Sequence, residues 1–291
     1  MATVREKGYS HWDGDLAERR YPWWPITRTG IRLAFKKKAF RFVFAGAFLP
    51  AFAALGGLYV SERLEDFKAL VRSERALLNI DPNYFKMFLT SNFLLFFIIL
   101  VLVFAAAGLV SDDLKHNSLQ LYFSRPLGKR DYLLGKMSVI AFFVLILTAV
   151  PWLVLVAFKL IFAGSFKFFL DYPWLPLSIL GYSVVLTLFF AFYILLLSAL
   201  SKNTRYVIIL IFASYLFSDI LYAILYETFR VRAFALFSIR ANLQQVGAFL
   251  FGQRLPVPRV PAVWSFAVLA GICIVSAIVL NRRIRGVEVI K

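Results

Sequence analysis

Side chains able to carry chemistry are scarce in this sequence and gather in one place. Between Val110 and Met137 runs a polar, basic stretch, Ser-Asp-Asp-Leu-Lys-His-Asn-Ser-Leu-Gln-Leu-Tyr-Phe-Ser-Arg-Pro-Leu-Gly-Lys-Arg-Asp-Tyr-Leu-Leu-Gly-Lys, flanked by long apolar runs. Its residue types suit recognition rather than catalysis. Asp112 and Asp113 favour a helix start through capping and the helix dipole, while Leu114, Leu119, Leu121, Tyr122 and Phe123 offer apolar contacts to a partner groove. Pro126 ends the helix, Gly128 permits a tight turn, Gly135 lets the returning chain pack closely, and Lys136 anchors it at an interface.

Other chemistries find few residues. His11 and His116 stand alone and the single cysteine, Cys273, lies in an apolar run, so no metal cluster and no internal disulfide is expected. No Gly-x-x-x-x-Gly-Lys-Ser/Thr phosphate loop occurs, since Gly128-Lys129-Arg130 lacks both the preceding glycine and the hydroxyl residue. Asp219 is the one acid inside an apolar run. It is the weak candidate for a substrate path if it sits mid-membrane, where an ionised carboxylate costs about 2.5–3.5 kcal/mol. The other reading, held equal, is a span ending early with Asp219 at the outer boundary.

The elements that must position these residues are membrane spans. Hydrophobic residues make up 61% of the 291 positions and mean hydropathy is +0.75, above the roughly 45–50% apolar content of soluble domains. The 32 Phe, 13 Tyr and 6 Trp suit lipid-facing surfaces and interfacial belts. A spanning helix needs about 20 apolar residues, and six stretches qualify, approximately Phe42–Val60, Phe93–Val110, Met137–Ala163, Trp174–Leu200, Val207–Tyr226 and Ala262–Leu280. The third and fourth are long enough to tilt or project. The first apolar run follows a long charged segment, so no secretory signal peptide is expected.

A net charge of +17 set between apolar runs points to anionic headgroups rather than to nucleic acid. Of the 33 Lys and Arg, 21 fall on the side holding both termini and the 111–136 loop, and 12 on the other, which places both termini in the cytoplasm. Residues 1–38 form a cytoplasmic segment in which Trp23, Trp24, Ile31, Leu33 and Phe35 alternate with Arg28, Arg32, Lys36 and Lys37, an interfacial amphipathic helix starting near Pro22 and Pro25. Residues 39–291 form a single transmembrane domain. Outside, Leu64, Phe67, Leu70 and Val71 predict a short amphipathic helix. Residues 233–251 read as interfacial or re-entrant helix, or as a seventh segment that would move the C-terminus outside. Pro50 can kink the first span. Small-residue pairs, Ala47 with Ala51 and Ala53 with Gly57, permit close helix contact, within the chain or at a subunit seam.

Taken with Ser124-Arg125-Pro126, Arg130 and Tyr132-Leu133-Leu134-Gly135-Lys136 before the third span, and the basic tail after the last, this pattern resembles type-2 ATP-binding cassette (ABC) permeases over most of the chain. The resemblance implies an all-α polytopic fold with six transmembrane helices, an N-terminal interfacial helix and, between spans two and three, a cytoplasmic coupling helix from Asp113 through Phe123. It implies ATPase-coupling roles for Asp113, Asn117, Leu119, Tyr122, Arg125, Pro126, Arg130, Gly135 and Lys136. It also implies a plasma (inner) membrane exporter built with a second permease copy or paralogue and two copies of a cytoplasmic ATPase. ATP and Mg would bind that partner, with no cofactor on this chain. Many members have Gly-Thr-Leu where this chain has Asn117-Ser118-Leu119. A signalling or scaffold subunit of the same architecture is the alternative; a membrane-embedded lipid-modifying enzyme is a more distant one, because convergent acids, bases and metal ligands are missing from the sequence.

Overall fold

The structure is a computed structural model that describes residues 21–63, 80–123, 127–163 and 166–285. These residues form helices joined by turns, with no strand among them. Six helical segments are long and apolar enough to cross a membrane: Lys38–Ser61, Asn92–Lys115, Lys129–Phe162, Leu175–Leu200, Thr204–Phe229 and Ala262–Arg283. The chain is an all-α, multi-pass membrane protein. The second, third and fourth of these segments make the buried centre, and the first, fifth and sixth lie on its outside.

Local sequence explains the breaks. Helix α1 (Trp24–Lys36) begins with Pro25 in its first turn and ends at Lys37, whose backbone is extended. Helices α2 (Lys38–Gly46) and α3 (Leu49–Arg63) together make the first span. They part at Ala47–Phe48 because Pro50 has no N–H to give and its ring crowds the carbonyl four residues back, at Gly46. Of the paired small residues in this span, Gly57 is occupied within the chain: a Cβ there would sit 2.5 Å from the hydroxyl oxygen of Tyr84, which donates to the Ala54 carbonyl at 2.7 Å. The helix predicted around Leu64, Phe67, Leu70 and Val71 lies outside the described residues.

Asp81 caps α4 (Pro82–Leu89) by accepting from the Tyr84 amide at 2.9 Å, and Ser91 caps α5 (Asn92–Ala106) through the Leu94 amide at 3.2 Å. The second span continues past Ala107 as α6 (Gly108–Lys115), followed by the short α7 (Ser118–Phe123). The sequence reading of one helix from Asp113 through Phe123, opened by Asp112 and Asp113, is therefore corrected. Both acids sit late in α6, and the chain turns at His116–Asn117. The third span, α8 (Lys129–Ala163), is a single 35-residue helix of about 52 Å, starting eight residues before the predicted Met137. Its start is fixed by Asp131, which accepts from the Gly128 amide at 3.2 Å, so Gly128 acts as a cap rather than as a positive-φ turn.

After the short α9 (Lys167–Asp171) come α10 (Leu175–Leu200) and α11 (Thr204–Phe229), the fourth and fifth spans. A 3-10 turn (Arg232–Phe237) and α12 (Ile239–Leu250) precede α13 (Ala262–Arg285), the last span. At about 18 Å, α12 is too short to cross. It starts beside Ser218 and Asp219, about ten residues inside the end of α11, and climbs back until the Leu250 carbonyl accepts from Ser178 Oγ at 2.7 Å near the start of α10. The segment is a hairpin packed among α10, α11 and α13 and is not a further span, so the seventh-span reading is corrected.

Candidate functional site

The polar island folds into a compact joint at one end of the bundle. Asp113 on α6 and Lys136 on α8 form an ion pair at 2.7 Å, with only 14% and 9% of their side chains exposed. Tyr132, one turn before Lys136, donates its hydroxyl to the same Asp113 oxygen at 2.7 Å. The Lys136 ammonium also lies 5.3 Å from the Tyr132 ring centre and 5.9 Å from that of Tyr122 on α7, within cation–π range. One buried acid thus ties the second span to the third, with α7 packed against the pair. Burial, and then the Asp113 charge, push the Tyr122 phenol above its usual value, so it stays neutral.

Leu119 is buried against Tyr132, Ile26, Leu114 and Leu127. It is the hydrophobic pin that holds α7 on the bundle, and in this arrangement it is not offered to a partner groove. Among the described side chains from Lys115 at the end of α6 through α7, those exposed are Lys115, His116, Asn117 and Gln120. Asn117 has φ 51, the left-handed region that glycine and asparagine tolerate best. Arg130 is exposed on the first turn of α8 and lines a polar recess with Asn281 at the end of the last span. Arg125 and Pro126 lie outside the described residues.

Gly135 faces α1, not the ion pair. A Cβ there would come within 2.9 Å of Ile26 Cβ and 3.0 Å of the Trp23 carbonyl, and a Cβ at Gly30 would meet Val139 at 2.6 Å. The two glycines let α1 cross α8 in close contact, fastened where Thr27 Oγ1 donates to the Gly135 carbonyl at 3.1 Å.

A second buried polar joint sits where α5 gives way to α6. A restarted helix leaves its first N–H groups without intrahelical acceptors. Ser198 of α10 supplies one: its Oγ accepts from the Val110 and Ser111 amides at 3.1 Å each and donates to the Ala107 carbonyl at 2.7 Å. On the other flank Lys37 donates to the Phe104 carbonyl at 2.8 Å. Ser111 and Asp112 bond to Thr204 at 2.8 and 2.6 Å, joining α6 to the first residue of α11.

Asp219 lies elsewhere, towards the opposite end. Its carboxylate sits at the N-terminus of α12, where the helix dipole favours negative charge. It accepts from the Ser238 hydroxyl and from Arg240 Nε at 2.7 Å, and Arg240 reaches on to Asn92 Oδ1 at 2.8 Å. Gln244 bonds the same Asn92 oxygen at 2.8 Å, so the network sits level with the first residue of the second span. Asp219 is thus charge-paired and anchors the start of α12.

Of the residues read from the sequence, the structure brings Asp113, Leu119, Tyr122 and Lys136 together; the sequence reading missed Ser198 and Lys37, which bond backbone groups, and Thr204, which bonds the Ser111 and Asp112 side chains, because no motif marks them. Arg240 carried a usable signal: it is the one charge within the apolar 233–251 segment, as Asp219 is the one acid in the predicted fifth span, Val207–Tyr226. Among the described residues no three of His, Cys, Asp or Glu gather into a metal-binding group. Comparison with protein-family models finds none that matches the chain, and comparison with curated proteins finds no match.

Proposed function

We propose that this chain is the membrane-spanning subunit of a type-2 ABC exporter, coupling ATP hydrolysis in separate cytoplasmic ATPase subunits to movement of substrate across the plasma (inner) membrane. The observation that carries the reading is the Asp113–Lys136 joint. A short helix pinned by Leu119 to the ends of two spans is a lever, and a push on α7 reaches the second and third spans together through one buried ion pair. A second permease copy or paralogue would complete the translocation route, and two ATPase copies would hold ATP and Mg. Lys115, His116, Asn117 and Gln120 would face the ATPase, with Asp113, Tyr122, Gly135 and Lys136 carrying the motion inward. Both termini and α7 lie in the cytoplasm in this reading, following the Lys/Arg distribution.

Affinity purification of the chain from native membranes should retain an ATP-hydrolysing partner. Lys115→Glu with Gln120→Asp should release that partner while the chain still inserts and melts normally. A partner that stays bound, or no hydrolase in the purified complex, overturns the reading.

A further inference from the structure

A cavity of about 490 Å³ lies beside the joint, under α1 and against α6, α7 and α8. One part of its wall is apolar, formed by Leu33, Ala34, Ala105 and Leu109, with Gly30 and Gly108 also lining it. The other part carries four charged groups: Lys37, Asp112, Asp113 and Lys136. Asp113 and Lys136 neutralise each other at 2.7 Å. That leaves Lys37 and Asp112. Each bonds a neutral group, Lys37 the Phe104 carbonyl and Asp112 the Thr204 hydroxyl, and neither meets an opposite charge among the described residues.

We infer that this cavity binds the headgroup of a zwitterionic phospholipid bearing a primary ammonium. Its phosphate would pair with Lys37, its ammonium with Asp112, and its glycerol end would lie along Leu33 and Leu109. The complementarity is specific in sign. A purely anionic headgroup would satisfy Lys37 and be repelled by Asp112, and a simple cation would meet the reverse. The membrane itself is the source, because α1 exposes Trp24, Leu33 and Phe35 beside Arg28, Arg32 and Lys36, the mixture that lies at a headgroup layer. The inference does not rest on the transporter reading, since lipid retention is measured on the purified chain alone.

Native mass spectrometry of the detergent-purified chain, titrated with dioleoyl phosphatidylethanolamine or dioleoyl phosphatidylglycerol, tests it. The wild-type chain should retain one ethanolamine lipid with about tenfold preference, the equivalent of about 1.4 kcal/mol. Asp112→Asn keeps the oxygen that accepts from Thr204 and removes only charge, so the preference should vanish. Lys37→Gln should weaken both lipids. Equal binding of the two lipids by the wild-type chain, or an unchanged preference in Asp112→Asn, overturns the proposal. So does displacement of the lipid by equimolar free phosphoethanolamine, which would assign the cavity to a soluble ligand. The Asp112→Asn comparison decides even if Lys37→Gln does not fold.

Discussion

Asp113 and Lys136 stand 23 positions apart in sequence and 2.7 Å apart in space, and both are almost closed to solvent. A buried pair of this kind is costly to leave half-made, whatever its net worth when complete. Removing one partner strands a charge, at about 3–5 kcal/mol, whereas removing both is often nearly neutral. Asp113→Asn and Lys136→Met should each lower the unfolding midpoint in detergent sharply, and the double variant should recover most of the loss. Additive losses would mean that the two charges act separately.

The Asn117 turn gives a backbone test. Its φ of 51 costs a residue with a Cβ about 1–2 kcal/mol unless the side chain bonds locally. Asn117→Gly should therefore fold as well as the parent, and Asn117→Val should be destabilised by at least about 1 kcal/mol. Equal stability of the two variants would show that the turn relaxes.

Ser198 serves two amides of another helix. Ser198→Ala should leave the Val110 and Ser111 N–H groups buried and unpaired, at about 1–3 kcal/mol each before relaxation. Hydrogen exchange is the local readout, with amides 110 and 111 losing protection while those of α10 keep theirs. Unchanged protection at 110 and 111 would remove Ser198 from the cap.

At Asp219 the substitution to Asn keeps shape and leaves Arg240 without its counter-charge. We expect α12 to loosen, seen as faster exchange of amides 239–246, and Arg240→Gln in the Asp219→Asn background to restore part of the protection. If protection in α12 is the same in Asp219→Asn and the parent, the carboxylate does not anchor that helix.

Orientation is open to a labelling test in a Cys273→Ala background. Cysteines at Gln120 and Lys202 should resist an impermeant thiol reagent in intact cells, and one at Arg254 should react. Reaction at Gln120 from outside would invert the proposed topology.

What the sequence determined by itself was the set of spans, because about 20 apolar residues in a row leave the backbone one way to satisfy itself in lipid, as a helix. Pro50 and Asn117 were equally local, one breaking a helix for want of an N–H and the other accepting a left-handed turn. Tertiary structure alone decided what each polar side chain meets. Leu119 reads as a partner contact in sequence and turns out to be buried in its own chain, since burial depends on where Tyr132 and Ile26 arrive. Asp113 finds Lys136 only because α8 starts at Lys129 and brings Tyr132 and Lys136 back past α6. Asp219 is a lone acid in its apolar run until α12 folds back and places Ser238 and Arg240 on its two oxygens. Periodicity encodes how one helix sits in its surroundings, whereas ion pairs and caps between helices depend on crossing points set by small residues such as Gly30 and Gly135, far apart along the chain.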